Sequence, residues 1–499
     1  MNFIEKFNNS EKYTKYSILI IILFSIIVLS LTSIYHVAGD ACWHLSIGRY
    51  IGLNFKIPLY EQFGRDEPFW APPLYHFVVA TVFFIFSLFN SNAANIAIKF
   101  ISPLFGILTL IFSFLIIKKL FNSKIAYYSM LFLTFLPIFL DYSIFSYVES
   151  MLLFFIILSI YFAINNKIIF ASIAAGFGIL TKYNGLFILP LLIYIVYRNN
   201  KGKKNLIASV LIITVLPLIL SMPWFIRNYI ILGNPIWPFL NFIFNGVDTK
   251  TPFHVSDLSR LIDINIIIFT YLGLFGVPNG SPENLFFFKI PLLNLLITIW
   301  LIGTFIFTLP FIYFKKIKKK DLIIVWVVPY IILFILYLVD ANFSVIRIIL
   351  PVIPALAIVW AHGFDRLLNP KYKKIIIVLF TLVVLGLISS EFIKIKLATN
   401  EWNKYNIDFQ WVKKNTKKEA VILANWQCSY YNLERLIVNP VNESIIYQAD
   451  YIWVNQKMSL DFEIKPQMLT VIENKEFPIA YENKNTGTII YKVTRTTNP

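Results

Sequence analysis

The chain has 499 residues, of which 58% are hydrophobic and only 14% charged, with a formal net charge of +17. A soluble domain of this length carries far more charge, and apolar runs recur along the whole chain, so the composition indicates a multi-pass membrane protein. The positive residues sit in short clusters between apolar runs, the pattern that sets membrane topology, and nucleic-acid binding is set aside on that ground.

In chain order, the continuous apolar run 17–31 follows Lys6, Lys12 and Lys15 and has no small-residue cleavage site after it, so it reads as a retained anchor. With about 20 apolar residues needed to cross the hydrocarbon, the expected spans are 16–35, 95–117, 125–143, 148–164, 168–181, 184–197, 205–224, 291–314, 321–339, 345–363 and 374–394, about eleven in all. The segment 74–90 is apolar enough to cross, but the basic loops arbitrate. If it lies along the outer surface, then Lys118, Lys119 and Lys124, the stretch from Arg198 to Lys204, the 315–320 run and the stretch from Arg366 to Lys374 all fall on the side of the N-terminus. This gives a cytoplasmic N-terminus, interfacial helices in a first outer loop 36–94, and a long outer loop 225–290 whose apolar piece 264–277 is also interfacial. After a transmembrane domain 1–395, residues 396–499 turn polar with short strand-like runs and read as a small extracytoplasmic α/β domain. Two cysteines, Cys42 and Cys428, exclude a disulfide framework. They are expected as unpaired thiols, with a single bridge as the alternative.

Ionisable residues cluster in the first outer loop, where they mark a functional candidate. Asp40 and His44 are four apart, so a helix puts both on one face beside Trp43. Asp40 reads as a base for an acceptor hydroxyl, as a ligand that shares a divalent cation with His44, or as a helix cap. Asp66 and Glu67, followed by Trp70, Tyr75 and His76, form an aromatic-rich turn suited to a sugar or a metal, or a plain solvated turn. Glu149 heads a later span, where it complements a helix N-terminus or supplies a second acid. Lys182, Arg227 and Arg347 sit at outer membrane edges against the cytoplasmic bias, which calls for an anionic partner such as a lipid phosphate; snorkelling to ordinary phospholipid is the bland alternative. P-loops, dinucleotide fingerprints and Gly-x-Ser-x-Gly elbows do not occur in the sequence, so a nucleotide-consuming enzyme has no support.

These pieces, in this order, resemble the GT-C superfamily of integral-membrane glycosyltransferases. The nearest branch is that of the protein O-mannosyltransferases, aminoarabinose transferases and related dolichyl-phosphate-mannose-dependent enzymes. The resemblance rests on Asp40 after the first span, Pro72 to Tyr75, Glu149, Leu180 to Leu186, Arg227 to Pro238, and Arg347 to Pro351. It departs at Asp40, which Ala41 follows where many relatives have Asp-Glu. The resemblance implies an extracytoplasmic site that uses a polyprenyl-phosphate-linked sugar, with Asp40 acting at the acceptor and Arg347, Lys182 and Arg227 at the donor phosphate. The expected reaction is an inverting single displacement onto a lipid, protein or glycan hydroxyl. Trp43, His44, Asp66, Glu67, Trp70, Tyr75 and His76 would line the sugar, acceptor or metal site, and a divalent cation on Asp40 and His44 stays open. Rival expectations are oligosaccharyl transfer from a lipid pyrophosphate, a secondary transporter and a non-enzymatic scaffold.

Overall fold

A computed structural model describes residues 11–61, 67–247, 273–274, 305–340, 346–368, 373–424, 428–438, 443–455 and 477–494. Asp66, nearly all of the 264–277 piece and most of the 291–314 span lie outside them, as does the side chain of Glu67. Helices dominate. Lys12–Ile34 has 23 residues, about 35 Å at 1.5 Å per residue, which exceeds the roughly 30 Å hydrocarbon core. Among the described residues, Lys12–Ile34, Ser91–Leu120, Leu206–Leu232, Lys320–Tyr337, Ile346–Leu367 and Lys373–Asn403 are long and apolar enough to cross a membrane. A seventh candidate is the pair Ser123–Phe135 and Pro137–Ile144, bent by 65°. The break has a local cause: the proline ring crowds the α conformation of the residue before it, and Leu136 is extended at φ −81, ψ 116. Leu74–Ser87, Glu149–Ile164 and Ile168–Thr181 are apolar but shorter. At 14 residues, Leu74–Ser87 reaches only about 21 Å.

The chain divides into two compact units: Met1–Ser33 with Trp70–Leu74 and Phe100–Lys394, and Ile34–Phe69 with Tyr75–Lys99 and Ile395–Pro499. The first is a helix bundle whose close approaches fall at small residues, which let backbones meet. A Cβ on Gly176 would stand 3.0 Å from Leu220 and 3.3 Å from the Pro217 backbone.

The second unit joins the first long loop to the C-terminal part. Its helix Asp40–Asn54 lies so close to Leu74–Ser87 that a Cβ on Gly52 would meet the Ala80 carbonyl at 2.8 Å. Strands β1 (Tyr60–Glu61) and β2 (Glu67–Pro68) form an antiparallel ribbon. Strands β3 (Val421–Leu423), β4 (Leu436–Val438), β5 (Tyr451–Asn455), β6 (Ile479–Asn483) and β7 (Thr488–Lys492) make a mixed sheet in the order β4-β3-β5-β7-β6. β3 runs parallel to β4 and β5, whereas β7 is antiparallel to β5 and β6. Leu423, Ile446, Ile452, Val454 and Phe477 fill its core.

The cysteines correct the expectation of free thiols: Cys42 and Cys428 form a disulfide. The fold packs the Asp40–Asn54 helix against the helix Ser429–Leu433, so residues 386 positions apart in sequence become neighbours. Beside the bridge, buried Arg49 donates to the Tyr431 carbonyl at 3.2 Å and pairs with Glu434, which also holds Lys413 at 2.8 Å. Burial alone would raise the Glu434 carboxyl, but Arg49 and Lys413 outweigh it and hold the carboxyl below its ordinary range.

His36, just past the first span, stacks on Trp402 at 5.0 Å, and its backbone N–H donates to Thr399 Oγ1 at 3.2 Å. Burial, then the charge of Lys99, push its pKa down to about 4. Since the unfolded chain holds that proton to a higher pH, this contribution to stability is complete above pH 6.5 and drains away as pH falls towards 4. The unfolding midpoint of the purified chain should therefore drop over that window, and His36→Gln should flatten the drop. In the unreduced, denatured protein, maleimide should label neither cysteine; after reduction it should label both, and stability should fall by about 2–5 kcal/mol.

Candidate functional site

Within the helix bundle, two of the three expected phosphate-binding cations, Lys182 and Arg347, meet on Glu149. This carboxylate opens an apolar helix, Glu149–Ile164, and is only 2% exposed. Lys182 stands where the helix Ile168–Thr181 ends. Its backbone turns extended (φ −160, ψ 141) and leads into a 3-10 turn, Tyr183–Ile188. Gly185 allows that turn to fold back on the helix it follows, since a Cβ there would lie 2.5 Å from the Gly178 carbonyl carbon. The Lys182 ammonium reaches Glu149 Oε1 at 2.7 Å. From another 3-10 turn, Ile346–Val352, Arg347 brings Nε to 3.7 Å from the same oxygen. A charge among apolar helices persists only when paired, and here the pairing is asymmetric. One buried acid is faced by two cations that remain 24% and 31% exposed.

A second knot lies next to Lys182 in sequence. The carbonyl of Trp70 accepts from Tyr183 Oη at 3.1 Å, Trp224 Nε1 at 3.2 Å and Asn228 Nδ2 at 3.1 Å. Asn228 Nδ2 also donates to Tyr183 Oη at 2.9 Å. The Trp70 ring stacks on Tyr183 and meets Trp237 and Phe239 edge-on. Arg227 donates to Asn228 Oδ1 at 2.7 Å and lies over the Trp224 ring at 4.7 Å. Arg227 thus holds the Trp70 knot, whereas Lys182 and Arg347 hold Glu149. The sequence reading missed Tyr183, Trp224 and Asn228. Each lies within three residues of a flagged cation, which was the available signal.

In the other unit, Asp40 is the first residue of the helix Asp40–Asn54, after Gly39 at φ 59. The expected alternative of a side-chain cap does not describe it: the N-cap is Gly39, with no side-chain cap bond. Asp40 is half-buried in the first turn, where the helix dipole favours an anion. His44 and His76 face each other, Nδ1 to Nε2, at 3.0 Å, so one ring donates to the other. Trp43, Tyr75 and His76 are fully buried and pack edge-on around this pair. Trp43 and Tyr75 belong to this histidine cluster. Among the described residues, no group of three or more His, Cys, Asp or Glu side chains is placed to hold a metal ion. Asp66 and the Glu67 side chain fall outside those residues.

Residues 70–226 match the family model of dolichyl-phosphate-mannose-protein mannosyltransferase, a stretch that contains Trp70, Glu149, Lys182 and Trp224. In fold, the chain is similar to ArnT from Cupriavidus metallidurans bound to undecaprenyl phosphate, with a TM-score of 0.67 at 13% identity over 97% of this chain and 99% of that one. The chain thus shares the ArnT fold. Its likeness extends to the archaeal oligosaccharyltransferase AglB from Archaeoglobus fulgidus in complex with an inhibitory peptide and a dolichol-phosphate (TM-score 0.54, 13% identity, 98% of this chain and 75% of that one). No curated protein sequence matches it.

The shared carboxylate predicts a definite order of stabilities. Glu149→Gln should cost about 2 kcal/mol, less than a fully buried pair because both cations reach the surface. Lys182→Gln or Arg347→Gln alone should cost less, since each leaves Glu149 one partner. The double variant should cost more than their sum. Thermal unfolding in detergent measures all four.

Proposed function

We propose that the enzyme transfers a sugar from a polyprenyl-phosphate donor to an acceptor hydroxyl on the extracytoplasmic face. The observation that carries this reading is the pair of partly exposed cations, Lys182 and Arg347, gathered on one buried carboxylate. A lipid-linked phosphodiester brings one negative charge, and its leaving group acquires a second as the glycosidic bond breaks. Cations positioned in advance bind that growing charge better than the ground state. Undecaprenyl phosphate on ArnT and dolichol-phosphate on AglB, both proteins of this fold, support a donor of the same chemistry. The matching family model makes a mannosyl donor the first to try.

Arg347 and Lys182 hold the donor phosphate, and Glu149 acts as a positioning residue that aims both cations; buried and ion-paired, it is poorly suited to accept a proton. Arg227, with Trp224 and Asn228, fixes the Trp70 stretch at the edge of the sugar site. Asp40 is the base. It takes the acceptor proton, the acceptor oxygen attacks the anomeric carbon, and the carbon–oxygen bond to phosphate breaks with inversion and releases polyprenyl phosphate. The unit that contains Asp40 also contains the Cys42–Cys428 disulfide, and such bonds persist in oxidising compartments, in keeping with an extracytoplasmic location.

With radiolabelled mannosyl polyprenyl phosphate, Asp40→Asn should abolish release of polyprenyl phosphate while leaving insertion and folding intact; near-normal turnover would remove Asp40 as the base. Arg347→Ala should raise the apparent KM for the donor about 10- to 100-fold, the worth of a hydrogen bond to a charged group, with acceptor KM little changed.

A further inference from the structure

We propose a carbohydrate-binding groove on the C-terminal part of the chain, formed by Trp411 and Tyr481 with the amides around them, that takes a neutral oligosaccharide. A hollow of about 430 Å³ opens here, within the usual range of small-molecule sites. Its floor is helix Asn406–Asn415. Asn406, Gln410 and Lys414 recur every four residues, and Ile407, Trp411 and Asn415 form the adjacent row, so one helix face presents all six. Tyr481 joins from β6, its ring stacked on Trp411 at 4.9 Å and 26°.

The aromatic floor is rigid for a reason that lies beneath it. Asp408, fully buried, accepts from Tyr481 Oη, Asn483 Nδ2 and Thr488 Oγ1, each at 2.7 Å. That hydrogen bond keeps the Tyr481 hydroxyl turned inward; burial, then the bond to Asp408 and its charge, push the phenol up to about 12. The ring's π-face, rather than its polar end, is what remains to meet a ligand. Both rings are held before any ligand arrives, which lowers the ordering cost of binding.

The lining selects the ligand class. The C–H face of a pyranose carries slight positive charge that suits the negative face of an aromatic ring. Side-chain amides donate and accept at once, as vicinal hydroxyls do. An apolar protein partner would strand Asn406, Gln410 and Asn415 away from water, at a cost for each unpaired amide. A nucleic-acid strand needs a track of cations, whereas this groove holds Lys414 alone. Binding here depends on no step of the donor chemistry, so it can fail or succeed independently of the transfer reaction.

The test uses the full chain in phosphatidylcholine nanodiscs, which avoid sugar-headed detergents, titrated calorimetrically with cellotriose, α-mannotriose and chitotriose. At least one trisaccharide should bind saturably with a roughly millimolar Kd. Trp411→Ala should weaken that binding by at least about tenfold, Trp411→Phe less, and Gln410→Ala a few-fold, while Asp40→Asn leaves it unchanged. Should Trp411→Ala fail to fold, Gln410→Ala and Trp411→Phe carry the comparison. Absence of binding by all three sugars, or affinity equal in wild type and these groove variants, overturns the proposal.

Discussion

A carboxylate sunk among apolar helices is tolerated only if opposite charge comes to it, and Glu149 imposes that demand on the bundle. Lys182 reaches it because the Ile168–Thr181 helix stops and the chain doubles back at Gly185; Arg347 reaches it because a separate 3-10 turn begins there. The demand is met by two partly exposed cations rather than one. The same segments that serve Glu149 also carry Tyr183, which secures Trp70, so the charge cluster and the aromatic knot are held by shared backbone.

Much of this was legible from residue type and order. Long apolar runs announced the spans, the polar C-terminal stretch announced a small sheet, and Lys182 and Arg347 stood out as cations at span ends. Charge in an apolar setting is a loud signal because its cost is large. Neutral polar residues are quieter. Tyr183 and Asn228 look ordinary in sequence, and their importance appears only when several donors converge on one carbonyl. Likewise, the 125–143 run reads as one helix by hydropathy, and Pro137 in its interior gave the local hint that it breaks.

The histidines and cysteines show the other limit. His44 lies four residues from Asp40, which suggested a shared ligand; its contact with His76, thirty-two residues away, carries no such signal in the sequence. The spacing of the two cysteines carries no periodicity, because what unites them is tertiary packing. The aromatic residues of the first loop divided between two clusters for the same reason: sequence proximity lists them together, whereas each ring follows the element that buries it.

That bridge has a consequence for biosynthesis. When Cys42 leaves the ribosome its partner does not yet exist, and 386 positions separate the two. The helix that starts at Asp40 therefore has no covalent tie to the C-terminal part until most of the chain has been made. A premature mixed disulfide at Cys42 is the hazard the nascent protein has to survive.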